Sequence, residues 1–122
     1  MARSVLLQLA RDSIQEVLEA KRTINKQKLL AEHPLLSEVM ATSVKLYIDD
    51  ELRGESTTTF PSFSLLEDIV KNAKIAAFEH ERFSPITTSE YLHCEVEVLL
   101  TTADGVISER DPSILKTSSF SL

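Results

Sequence analysis

The chain contains one cysteine, two glycines and no apolar run longer than four residues. Each scarcity removes a class of function. A single thiol, Cys94, excludes an internal disulfide and any cysteine-based zinc site. With only Gly54 and Gly105, no phosphate-cradling glycine loop and no dinucleotide fingerprint can be written. No serine stands in a nucleophile elbow. A membrane-spanning helix needs about 20 consecutive apolar residues, so none is expected. The opening Met1-Ala2-Arg3 leads into a polar-interrupted pattern rather than the continuous apolar stretch of a signal peptide, so the expected location is cytoplasmic. No internal repeat is found.

Positive charge is also in short supply: 13 Lys and Arg stand against 19 Asp and Glu, a net charge of −6. The one dense basic stretch is Lys21, Arg22, Lys26 and Lys28. It reads as a solvated helix end or loop rather than a phosphate-binding surface, so nucleic-acid binding is not expected. His33, His80 and His93 have no ligand spacing among themselves or with Cys94. No metal and no cofactor are therefore expected.

What is present suits an ordinary folded domain. The composition is 43% hydrophobic and 26% charged over 122 residues, enough for one domain over residues 1–122 with one real core. Residues 1–20 carry helical periodicity, with Leu6, Ala10, Ile14 and Val17/Leu18 in one stripe and Arg11, Gln15 and Glu19 on other faces. Pro34 breaks the next helical piece. Residues 43–59 alternate as a hairpin: Val44, Leu46 and Ile48 face one way, Asp49-Asp50-Glu51 turns, and a threonine-rich strand returns. Gly54 marks a bulge or a close backbone approach. Ser64 to Glu67 has capping-box spacing before a helix over 64–80, whose small residues Ala73, Ala76 and Ala77 suit close packing on a sheet. Thr87 to Glu90 begins a short helical turn. Residues 93–101 alternate again, Val106-Ile107 forms a short further strand, and 116–122 reads as a frayed tail. This order predicts an α+β fold, a two-layer sandwich of a mainly antiparallel sheet with helices packed on it.

Three stretches together resemble the AMMECR domain family, that of the AMME-syndrome critical-region protein and its microbial relatives. Leu6-Leu7-Gln8-Leu9-Ala10-Arg11-Asp12-Ser13-Ile14 is similar to its opening helix. Leu52-Arg53-Gly54 is similar to the first half of its leucine–arginine–glycine–cysteine–isoleucine–glycine motif. Leu65-Leu66-Glu67-Asp68-Ile69, Asn72-Ala73, Ala76-Ala77-Phe78 and Arg82-Phe83-Ser84-Pro85 are similar to its next helix and loop, and Cys94 to Leu100 to its next strand. There are two departures. Glu55-Ser56-Thr57 stands where the family has cysteine–isoleucine–glycine. The family's further glycine-rich segment and C-terminal helix have no counterpart in these residues.

The resemblance directs attention to Leu52, Arg53, Gly54, Glu55, Arg82 and Phe83. Arg53 either offers a bidentate fork to a carboxylate or phosphate, or pairs with Glu51 or Glu55 on a strand surface. Glu55 cannot replace a thiolate nucleophile; it is a base, a hard-metal ligand or simply a solvated side chain. Arg82 and Phe83, preceded by Glu79, His80 and Glu81, form either a loop flanking the Arg53 motif or a core plug with a local ion pair. Cys94, on an apolar face, reads as buried and inert, and His93 as pointing to the opposite face. The expected function is that of a degenerate, non-catalytic member acting by partner binding. The alternative is an enzyme with a pocket around Arg53, Glu55 and Arg82. The resemblance implies a protein partner of Memo-like or radical-SAM type, and a free edge strand would favour a homo-oligomer.

Overall fold

Two hydrophobic periods in one chain, helical and then alternating, resolve into two layers in the computed structural model, which describes residues 4–80, 82–102 and 104–112. The elements in chain order are α1 (Val5–Leu18), α2 (Lys26–Glu32), a 3-10 turn (Pro34–Ser37), β1 (Ala41–Ile48), β2 (Glu51–Thr57), α3 (Leu65–Phe78), α4 (Thr88–Leu92), β3 (Glu95–Thr102) and β4 (Gly105–Asp111). The strands form an antiparallel sheet of order β2-β1-β3-β4. Helices α1 and α3 contact each other and pack on the sheet, so the fold is α+β as expected. Residues 116–122 and Glu81 lie outside the described residues. No described helix is long and apolar enough to cross a membrane.

The core lies between the layers. Leu9, Ile14, Leu46, Leu66, Ile69, Val96 and Val98 are each at most 2% exposed. Burying a side chain of this size contributes about 1.5–3 kcal/mol, whereas a helix cap contributes about 1 kcal/mol. Packing between the layers therefore dominates. The caps set where the helices begin. Ser4 accepts from the Leu7 N–H, Asn25 from Lys28 and Ser64 from Glu67. The reciprocal capping box forms at α4, where Thr87 and Glu90 exchange bonds. At α3, Glu67 pairs instead with Lys26 at 2.8 Å.

The turn between β1 and β2 is made by Asp49 and Asp50, both with positive φ (52° and 65°). Aspartate tolerates this region better than most residues, and a two-residue turn of that kind matches strand twist. Glu51 already belongs to β2.

Several expectations are corrected. Arg11, expected on a face other than the apolar stripe of α1, is buried. It is 1% exposed, and its Nε donates to Asp111 Oδ2 at 2.6 Å. Its Nη2 donates to the carbonyls of Cys94 and Pro112, and the guanidinium lies 5.2 Å from the Tyr91 ring. Periodicity cannot reveal a partner 100 residues away in the chain. Val17 leaves the expected stripe and is 45% exposed. His93 caps α4 rather than lying on a strand, because β3 begins at Glu95. The short strand expected at Val106-Ile107 is the seven-residue β4.

Gly54 satisfies both of its expectations. The register runs Leu46 to Gly54 and then Tyr47 to Leu52, so Arg53 is an extra, bulged residue. A Cβ on Gly54 would stand 2.1 Å from the Ala76 carbonyl oxygen. Helix α3 thus rests directly on β2, backbone against backbone. Replacing Gly54 with alanine forces two backbones apart and is expected to cost about 3 kcal/mol, the upper part of the overpacking range. Urea unfolding of Gly54→Ala checks this, and an unchanged midpoint would refute the close contact.

Candidate functional site

The bulge removes Arg53 from the sheet's alternation and turns it toward the loop after α3. Its side chain is 11% exposed. Arg53 Nε donates to Glu90 Oε2 at 3.1 Å, and Nη2 donates to Glu90 Oε1 at 3.2 Å and to the Ser84 carbonyl at 2.8 Å. The guanidinium carbon lies 5.2 Å from the centre of the Phe83 ring. This is a planar fork gripping both oxygens of one carboxylate, the geometry at which arginine excels. The partner is neither Glu51 nor Glu55, the two that chain proximity suggests.

Glu90 is the residue that sequence reasoning missed. It sits at the third position of α4, where its carboxylate also accepts from the N–H and hydroxyl of Thr87. The Thr87-to-Glu90 capping spacing was the available signal; that the same carboxylate also holds an arginine was not. The hydrogen bonds from Arg53 lead in holding the Glu90 carboxyl below its ordinary 4.5, against the opposing effect of partial burial, with Thr87 adding to them.

A groove of about 450 Å³ opens beside this clamp, lined by Glu55, Ser56 and Thr57 of β2 and by Ile75, Glu79, His80 and Arg82. His80 lies 5.1 Å from Phe83, ring centre to ring centre, and its Nδ1 accepts from the Arg82 N–H. Ser56 donates to Asn72 Oδ1 at 2.7 Å, and Thr57 shares a hydroxyl bond with Ser43 at 2.8 Å.

Of the six residues singled out, Arg53, Phe83 and Arg82 come together: Arg82 is 5.9 Å from the same ring. The two arginines meet at a phenyl ring, and of the two only Arg82 lines the groove. Glu55 lines the groove opposite Lys45. Gly54 is buried beneath α3, and Leu52 is outside the groove lining, in register with Tyr47. Phe83 is half-buried, a lid on the clamp rather than a core plug.

No described group of three or more His, Cys, Asp or Glu side chains is placed to hold a metal ion. Cys94 is buried and does not line this groove. Burial raises its thiol to about 11, outweighing the favourable charge of Arg11.

The chain matches the family model described as AMMECR1 over residues 7–115. It is similar to the crystal structure of an uncharacterised protein, PH0010, from Pyrococcus horikoshii, with 31% identity and a TM-score of 0.71. That likeness covers 80% of this chain and 49% of the other, so the chain spans about half the length of that relative. No curated protein matches the chain.

Two measurements follow from this geometry. A carboxylate whose folded pKa is depressed contributes stability above its unfolded value, and that contribution is lost as pH falls through the folded value. The Glu90–Arg53 contribution is therefore complete above about pH 4.5 and disappears below it. Glu90→Gln is expected to cost about 0.5–1 kcal/mol at neutral pH, the pair being partly exposed, and nothing in strong acid. Urea unfolding at both extremes reads the difference, and an equal deficit at both would contradict it. Separately, thiol labelling of the folded protein at mildly alkaline pH should proceed only as fast as the chain opens; rapid modification of Cys94 would show the thiol accessible.

Proposed function

The chain belongs to the AMMECR1 family, and we propose that it acts as a binding module for a protein partner, engaged along the groove beside β2. The observation that carries this reading is the internal use of Arg53. Its fork is held by Glu90 and Ser84, and its face is covered by Phe83. The strongest anion-recognising group of the motif thus shapes the site instead of meeting a substrate. The only thiol of the chain is buried and does not line the groove, with its pKa at about 11, and Glu55 replaces no thiolate chemistry.

The groove has the attributes of a contact surface. β2 is an outer strand of the sheet, and outer strands carry backbone donors and acceptors suited to an added extended segment. Beside Thr57 the groove offers Ile75 as an apolar contact, with Glu55, Glu79 and Arg82 as charges of both signs. The partner suggested by the family resemblance is a Memo-like or radical-SAM protein.

A photo-crosslinking residue placed at Thr57, with a control at Ser108 on the opposite outer strand, tests this in cells that carry such partners. Adducts with a Memo-like or radical-SAM protein are expected from Thr57 alone, and Arg82→Glu should weaken them. Equal adducts from both positions, or none from Thr57, would count against the groove.

A further inference from the structure

A second concavity lies on another part of the surface, between the end of α1, the segment 20–27 and α3, with a volume of about 880 Å³. Its construction begins at Ala20, which has a φ of 54°. Alanine is strained in that region, where glycine would be at ease. The turn is held by Glu16, whose Oε2 accepts from the Thr23 and Ile24 N–H groups at 2.8 and 2.9 Å. Its Oε1 accepts from Lys74 Nζ at 3.1 Å. Burial pushes the Glu16 carboxyl up, but the bonds from Ile24, Lys74 and Thr23 together bring it below its ordinary value.

Glu16 is thus wholly engaged in building the rim, and it is the one carboxylate among the lining residues. Four cations line the same space: Lys21, Arg22, Lys26 and Lys74. Lys74 is held by Glu16 and Lys26 by Glu67. Lys21 and Arg22 are exposed and have no carboxylate at ion-pair distance among the described residues. In a chain of net charge −6 this is a local reversal of sign. The lining is not purely polar, for Val17, 45% exposed, lies there with Ile24 and Val70.

We propose that this concavity docks an acidic peptide segment of a protein partner, with carboxylates on Lys21 and Arg22 and an aliphatic side chain on Val17 and Ile24. Charge complementarity selects an anionic occupant. The absence of any aromatic residue from the lining removes the stacking platform that single-stranded nucleic acid uses. Two unengaged cations also make too few phosphate contacts for firm backbone binding. The volume greatly exceeds that of a lone phosphate. The aliphatic patch gives leucine-like side chains a place that nucleotides do not fill. This surface shares no lining residue with the β2 groove, so either can fail without the other.

The test uses the full chain and a short fluorescein-labelled peptide of glutamates and leucines, read by anisotropy. Controls are the same peptide with glutamine for glutamate, a uridine oligonucleotide and inorganic phosphate as competitor. Saturable binding is expected, weakened by salt and lost about tenfold in Lys21→Glu with Arg22→Glu. Val17→Asp should weaken it severalfold, while Lys45→Glu on the sheet leaves it unchanged. Unfolding curves confirm that the exposed variants remain folded, and Lys21→Gln with Arg22→Gln gives a milder version. No saturable binding, equal affinity for the glutamine peptide, tighter binding of the oligonucleotide, displacement by phosphate alone, or indifference to the variants would each overturn the proposal. A Thr57→Arg variant, which obstructs the β2 groove, should not alter peptide binding; a loss there would merge the two surfaces and overturn the assignment.

Discussion

The close approach of α3 to β2 at Gly54 governs the arrangement of everything around it. With no Cβ in the way, the Ala76 carbonyl lies over the strand at a distance no other residue type allows. Contact this close requires small residues on the helix as well, and Ala73, Ala76 and Ala77 are all fully buried there. The adjacent bulge at Arg53 then redirects one arginine out of the sheet's alternation toward the loop that follows α3. A glycine and its neighbour therefore set both the spacing of the layers and the position of the clamp.

Polar groups lock that packing into one arrangement. Asp68, wholly buried at the start of α3, accepts from the N–H and hydroxyl of Thr42, from the hydroxyl of Thr58 and from Asn72. Asn72 in turn donates to the Thr42 carbonyl. Fully satisfied networks of this kind fix register, whereas a half-satisfied one would weaken the core. At the other end Arg11 ties α1 to Asp111 of β4 and to the carbonyl of Cys94, while its Nη1 is buried with no hydrogen-bond partner among the described residues. Losing one partner of such a buried pair costs about 3–5 kcal/mol, comparable with losing a large core side chain. The outer face of the sheet is polar too: Tyr47 donates to Glu97, and Arg110 lies 4.3 Å from the Tyr47 ring.

The contacts of the Leu52-Arg53-Gly54 triplet give it a structural meaning that its spelling conceals. Glycine is required by the helix above it and arginine by the carboxylate of α4, and both are roles in shaping a surface. A groove along an outer strand and a basic concavity near α1 lie on separate parts of the surface, with no lining residue in common.

The sequence by itself determined the order of the elements, their periodicities and hence the α+β class, because alternation and helical spacing are local properties. It also located the Asp49-Asp50 turn, the Ser64 cap and the special status of Gly54, each encoded within a few residues. It could not pair Arg11 with Asp111 or Arg53 with Glu90, nor show Glu16 building a basin rim, nor remove His93 from its strand. Those outcomes depend on where distant segments meet when the layers close. The energy of an ion pair or a buried network follows distance in space, and neighbours in space need not be neighbours along the chain. Tertiary structure alone decided which charges were consumed in holding the fold and which were left facing outward.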